Sequence, residues 1–76
     1  MSRRKNVELS IHHRKPTSIG GGNDERNLSE IPRRKHEAWH ILFFNASPEL
    51  IAWIINRHYL DPDYEMVVRK RNENHL

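Results

Sequence analysis

The sequence predicts a small α+β fold: two short strands joined by a glycine-rich loop, followed by two helices. Three observations predict it. Val7, Leu9 and Ile11 alternate with Glu8, Ser10 and His12, the period of a half-buried strand. Gly20, Gly21, Gly22, Asn23 and Asp24 cluster between two more regular segments. Ala38, Trp39, Leu42 and Phe43 then recur at helical spacing, before a second helix-start signal at Ser47, Pro48 and Glu49.

Each element follows from local chemistry. The first strand runs to the histidine pair His12 and His13 and stops by Pro16, because proline cannot donate to a sheet ladder. Thr17 to Asn27 reads as loop, with the glycines permitting positive φ and acting as a flexible turn; Leu28 to Ile31 is a second strand. Pro32 suits the first position of a helix, where its missing N–H costs nothing. That helix extends to about Phe44, with Asn45 as its stop, and His36 and His40 stack beside its apolar arc. Ser47 offers an N-cap oxygen, Pro48 an N1 proline and Glu49 an acid near the positive helix end. Leu50, Ile51, Trp53, Ile54 and Ile55 make the second helix strongly apolar, and Arg57 and His58 suit its negative end. Leu60 to Tyr64 is a turn, and Met66 to Arg69 adds a last short strand. Trp39, Phe43, Phe44, Trp53 and Tyr59 are expected in the core.

Residues 1–76 are read as one domain, with a core over about residues 7–44, a helical extension over residues 47–60 and a flexible tail over residues 70–76. So short a chain buries a modest core, and domains of this size lean on a metal, a disulfide or a partner. Cysteine is absent, which excludes disulfides and thiolate zinc sites and leaves six histidines as nitrogen ligands. The formal net charge is +3. Arg3, Arg4, Lys5, Arg14, Lys15, Arg33, Arg34 and Lys35 gather in the first half, while Asp61, Asp63 and Glu65 cluster near the far end. A basic half fits a polyanion surface, although basic residues also serve solubility alone. No apolar run reaches the ~18 residues of a membrane span. The basic start lacks the apolar stretch of a signal peptide. A soluble, cytoplasmic protein without a membrane partner is the expectation.

The chemistry gathers at His12, His13, Asn27, His36 and His40. His36 and His40 are four residues apart, so on a helix their imidazoles lie one turn apart and can share a metal. Such a pair alone is a weak signal. His36, Glu37, Ala38, Trp39 and His40 also match H-E-x-x-H, the zinc-protease helix. That reading needs a third ligand and a substrate cleft, for which this chain leaves little room. The glycine run is not a phosphate loop, because no Lys-Ser or Lys-Thr follows it.

Taken in order, His12-His13, a proline, a glycine loop, Asn27-Leu28 and the His36/His40 pair resemble the HNH (ββα-metal, His-Me finger) nucleases. The likeness is greatest to the nuclease domains of the DNase-type colicins, and it spans Leu9 to His40. The resemblance implies a ββα-metal core with an added C-terminal helix, one divalent ion (Mg, Mn, Ni or Zn) and hydrolysis of nucleic-acid phosphodiesters, DNA before RNA. Residue by residue, it implies that His12, His36 and His40 hold the metal and that His13 is the general base. Asn27 ties the loop and helps orient that base, and Arg14, Lys15, Arg33, Arg34 and Lys35 contact nucleic acid. The chain departs from many members in carrying His12 where they have Asp, and in lacking paired cysteines. No acid supporting a ligand histidine is marked, although Glu8 is available.

Two rivals stand beside this reading. One is a metal-stabilised nucleic-acid-binding module without turnover. The other is a protein-interaction domain whose apolar Leu50–Ile55 helix docks a partner or forms a homodimer.

Overall fold

The computed structural model describes residues 8–71 and divides into two compact units, Met1–Asn45 and Ala46–Leu76. Arg3, Arg4, Lys5, Val7, His75 and the tail from residue 72 onward lie outside the described residues.

The first unit contains strand β1 (Leu9–His13), strand β2 (Leu28–Pro32) and helix α1 (Arg33–Phe43). The strands pair antiparallel, with Leu9 opposite Pro32, His12 opposite Ser29 and His13 opposite Leu28. Backbone bonds close both ends of the ribbon: Arg14 N donates to Asn27 O at 2.7 Å and Arg33 N to Glu8 O at 2.7 Å. This two-strand, one-helix order is compatible with a ββα arrangement.

Strand periodicity identified β1, but its faces are used the other way round from the apolar pattern. Ser10 and His12 point at α1, where Ser10 meets His36 and the His12 ring meets Trp39. Leu9 and Ile11 occupy the opposite face and are 55% and 50% exposed. A period of two separates the faces of a strand; which face is buried depends on where the helix lands. Here the helix presents imidazole and indole rings, and polar residues of β1 meet them.

Pro32 is not the first helical residue. It is the N-cap, at φ −57° and ψ 137°, and the last residue of β2. Its pairing with Leu9 holds it extended, and the end of a ladder tolerates its missing N–H. The α1 chain reversal also falls one residue earlier than Asn45: Phe44 takes φ 37°, strained for a non-glycine residue, while its N–H donates to His40 O at 2.9 Å. Ala38 and Leu42 are exposed, so the inward face of α1 is narrower than the apolar arc. It comprises half-buried His36 and Trp39 and buried Phe43, whose ring centroid lies 4.5 Å from that of Trp39.

The loop between the strands is tightly built rather than flexible by composition. Two 3-10 turns, Thr17–Ile19 and Glu25–Asn27, bracket the glycines. Gly20 supplies the positive φ, 101°, that ends the first turn. Gly21 serves close approach instead, since a Cβ there would lie 1.8 Å from Lys15 O.

In the second unit, helix α2 (Pro48–Ile54) starts as its residues dictate. Ser47 Oγ accepts from Leu50 N at 3.2 Å, and Pro48 and Glu49 fill the first turn. The chain continues through a π-helical turn, Ile55–Tyr59, carrying Arg57 and His58 at its end. Asp61 organises the following turn by accepting from Asp63 N and Tyr64 N. Met66 to Arg69 is not a strand. Asn56 takes both backbone groups of Met66, at 2.8 and 2.9 Å, so they make no ladder.

Only Phe43 and Ala46 are buried among the described residues, and no side chain is fully enclosed. Phe44, Trp53 (55%) and Tyr59 (63%) are exposed, against the expectation that they form core. No single helix among the described residues is long and apolar enough to cross a membrane.

Candidate metal centre

The first unit brings three histidines together. His12 comes from the inward face of β1, two residues beyond Ser10; His36 and His40 come from successive turns of α1. One potential ligand atom from each lies within 4.8 Å of those of the other two. His36 Nε2 and His40 Nε2 are 3.0 Å apart, and the ring centroids of His12 and His36 are 5.2 Å apart. Two nitrogens bound to one tetrahedral zinc, each at about 2.0–2.1 Å, lie about 3.3–3.4 Å apart, so the three rings must come to that spacing by side-chain rotation to share one ion.

The surroundings set the state of each ring. Ser10 Oγ lies 2.6 Å from His36 Nδ1. If Nδ1 carries the proton and donates to that hydroxyl, the Nε2 lone pair faces His40 and the shared site. His12 Nδ1 is buried without a hydrogen-bond partner, a costly condition for an imidazole nitrogen. Burial pushes the His12 pKa below the usual histidine value, and the neighbouring His36, His40, His13 and Arg14 push it the same way. The ring is thus held neutral, the form that offers a lone pair. His12 and His36 are half-buried and His40 is exposed, so the cluster opens to solvent along α1.

These donors fit a metal. Three imidazoles with no carboxylate among them suit borderline ions such as Zn²⁺ or Ni²⁺, and they suit the oxygen-seeking Mg²⁺ poorly.

The other predicted residues surround this cluster in different ways. His13, the last residue of β1, directs Nε2 to Asn23 Oδ1 at 2.8 Å. Asn27 staples the loop: its Oδ1 accepts from Lys15 N at 2.7 Å, and its Nδ2 donates to Lys15 O at 3.1 Å and Gly22 O at 2.8 Å. It makes no hydrogen bond to His13; Asn23 does. Glu8 is ion-paired with Arg33 at the far end of the hairpin, and Ser10 is the group that supports a cluster histidine. Arg14 donates to Arg26 O at 3.2 Å, while Arg34 and Lys35 stand exposed in the first turn of α1. His58 lies in the second unit, edge-on to Trp53 at 5.8 Å.

Ser10 and Asn23 are the residues that reading the sequence passed over. Ser10 shares a strand face with His12, two positions away, and that periodicity was the available signal. Asn23 had none, because its contact depends on how the glycine loop closes.

Among known proteins, the chain matches no family model, no curated protein and no solved structure. What the cluster can do is therefore set by its own chemistry.

Proposed function

We propose that this chain is a metal-dependent endonuclease of the HNH type, hydrolysing phosphodiester bonds in nucleic acid, DNA in the first instance. One observation carries the reading: His12, His36 and His40, drawn from a strand end and one helix, each bring a potential ligand atom within 4.8 Å of the other two, and His13 follows His12 directly in the sequence. In this reading His12, His36 and His40 hold one divalent ion, and Ser10 orients the ring of His36. A bound cation there supplies Lewis acidity and neutralises charge developing on the phosphate oxygens. His13 accepts a proton from the attacking water. Asn27 keeps the loop shut. Arg34 and Lys35 lie at an α1 N-terminus with no acidic residue in its first turn, a local field that favours phosphate.

Strand alternation favours a second reading. His12 and His13 are adjacent in β1 and opposite Ser29 and Leu28, so their Cβ atoms leave opposite faces of the ribbon. A metal-stabilised nucleic-acid-binding module needs the three-histidine cluster but no base beside it.

Plasmid nicking separates the two. The chain is incubated with supercoiled DNA in Zn²⁺, Ni²⁺, Mn²⁺ or Mg²⁺, with EDTA and His13→Ala controls. The nuclease reading expects cleavage with at least one cation, abolished by EDTA and reduced roughly 10²–10⁴-fold in His13→Ala. Salt-sensitive DNA binding without cleavage would leave the binding module.

A further inference from the structure

The glycine loop delivers one side chain to the candidate base. Gly21 N donates to Pro16 O at 2.9 Å, and Asn27 Nδ2 holds Gly22 O at 2.8 Å. The next residue is Asn23. Its amide oxygen lies 2.8 Å from His13 Nε2, ten positions back in the sequence. From this geometry we infer that Asn23 is the positioning residue of His13, holding the ring's orientation and tautomer for proton abstraction; the inference rests on the nuclease reading above.

The argument is one of donors and acceptors. An amide oxygen can only accept a hydrogen bond, so His13 Nε2 must carry the hydrogen. In the neutral ring Nδ1 then keeps its lone pair, and it is the nitrogen that can take a proton. As Nδ1 takes that proton from water, the freed oxygen electron pair forms the new bond to phosphorus. The bond from phosphorus to the leaving 3′ oxygen breaks, and that oxygen is protonated from solvent. Asn23 touches neither water nor phosphate in this scheme; it acts through the imidazole. Its amide also stabilises the imidazolium that forms, because the Nε2–H it accepts becomes a stronger donor when the ring is charged. Asn27 contributes one step further back, by fixing the backbone from which Asn23 reaches.

The test uses the full chain and two readouts. In steady-state cleavage, with whichever cation supports wild-type activity, Asn23→Ala lowers kcat roughly tenfold, part of the ~10²–10⁴ a general base supplies, and leaves KM unchanged. Asn23→Asp, which keeps an acceptor at the same reach, restores most of the loss. In the His13→Ala background, Asn23→Ala has no further effect. Nitrogen-15 spectroscopy of the His13 ring is the second readout and does not depend on activity. The wild type shows an exchange-protected Nε2–H, lost in Asn23→Ala and kept in Asn23→Asp. An Asn23→Ala enzyme cutting at the wild-type rate while His13→Ala is inactive overturns the positioning role alone. So does a His13 signal indifferent to Asn23. Failure of the wild type to cut in any cation overturns the nuclease reading, and the catalytic meaning of the contact with it.

Discussion

Ser10 Oγ and His36 Nδ1 lie 2.6 Å apart across 26 residues of sequence, tying the strand face that carries His12 to the helix that carries the other two histidines. One hydroxyl thereby couples the hairpin to α1 and orients a ring whose other nitrogen faces His40. Removing it leaves all three candidate ligand side chains in place and changes only what supports them.

Ser10→Ala therefore weakens metal binding without abolishing it. Partners of this kind are worth about 10–100-fold in metal affinity. Isothermal titration of the metal-free protein with Zn²⁺ measures this, and Ser10→Thr, which keeps the hydroxyl, stays near wild type. Identical affinity for wild type and Ser10→Ala would mean that the hydrogen bond does not orient His36.

The sparse core makes a second expectation quantitative. With only Phe43 and Ala46 buried among the described residues, apolar packing is thin, and a cation binding the folded state alone adds to stability. At a free concentration one hundred times Kd the gain is about 2.7 kcal/mol. For a domain of this size that raises Tm by roughly 10–20 °C. Thermal melts with Zn²⁺ and with EDTA measure it, and His12→Ala or His40→Ala abolishes the difference. A wild-type Tm indifferent to Zn²⁺ and Ni²⁺ would remove the metal centre.

Acid should loosen the metal-free fold through His12. Burial and the nearby His36, His40, His13 and Arg14 depress its folded pKa below the ordinary value. The unfolded chain then binds the proton more readily, so stability rises with pH across the window between the two values. This contribution is fully present above about pH 6.5, the ordinary histidine value, and is lost as pH falls toward the depressed one. Urea midpoints in EDTA are expected to be higher at pH 7.5 than at pH 5.5. His12→Gln flattens that difference. A slope unchanged by His12→Gln would contradict the assignment.

How much of this was legible in advance depended on the range of the interactions. β1, β2, α1 and α2 follow from signals within a few residues, such as Ser47-Pro48-Glu49, and the structure places them within a residue or two of expectation, except that α2 gives way after Ile54 to the π-helical turn that carries Arg57 and His58. Spacing alone paired His36 with His40; the convergence of His12 with them was an expectation implied by the resemblance to the HNH nucleases. Facing and pairing were not legible. Leu9 and Ile11 looked like the buried side of β1, yet α1 covers Ser10 and His12, a choice made by the helix's own rings. Met66 looked like strand, yet Asn56, ten residues away, consumes its backbone groups. Trp53 and Tyr59 looked like core, yet a chain with so little enclosed volume leaves them exposed.

The glycine loop offers a test with an internal control. Three consecutive glycines look interchangeable in sequence, but they are not equivalent in space. A Cβ at Gly21 would sit 1.8 Å from Lys15 O and 3.0 Å from Asn27 Nδ2, and the obstacle is backbone that cannot swing aside. A Cβ at Gly22 would meet nothing closer than Asp24 Oδ1, at 3.4 Å. Gly21→Ala must push the Lys15 carbonyl away and break its bond to Asn27, the staple that holds the loop carrying Asn23. Overpacking of this kind costs typically about 1–3 kcal/mol. Gly22→Ala is expected within about 0.5 kcal/mol of wild type, as for ordinary surface substitutions. Urea unfolding compares the two, and equal losses at both positions would show that the loop does not close through the Lys15–Asn27 staple.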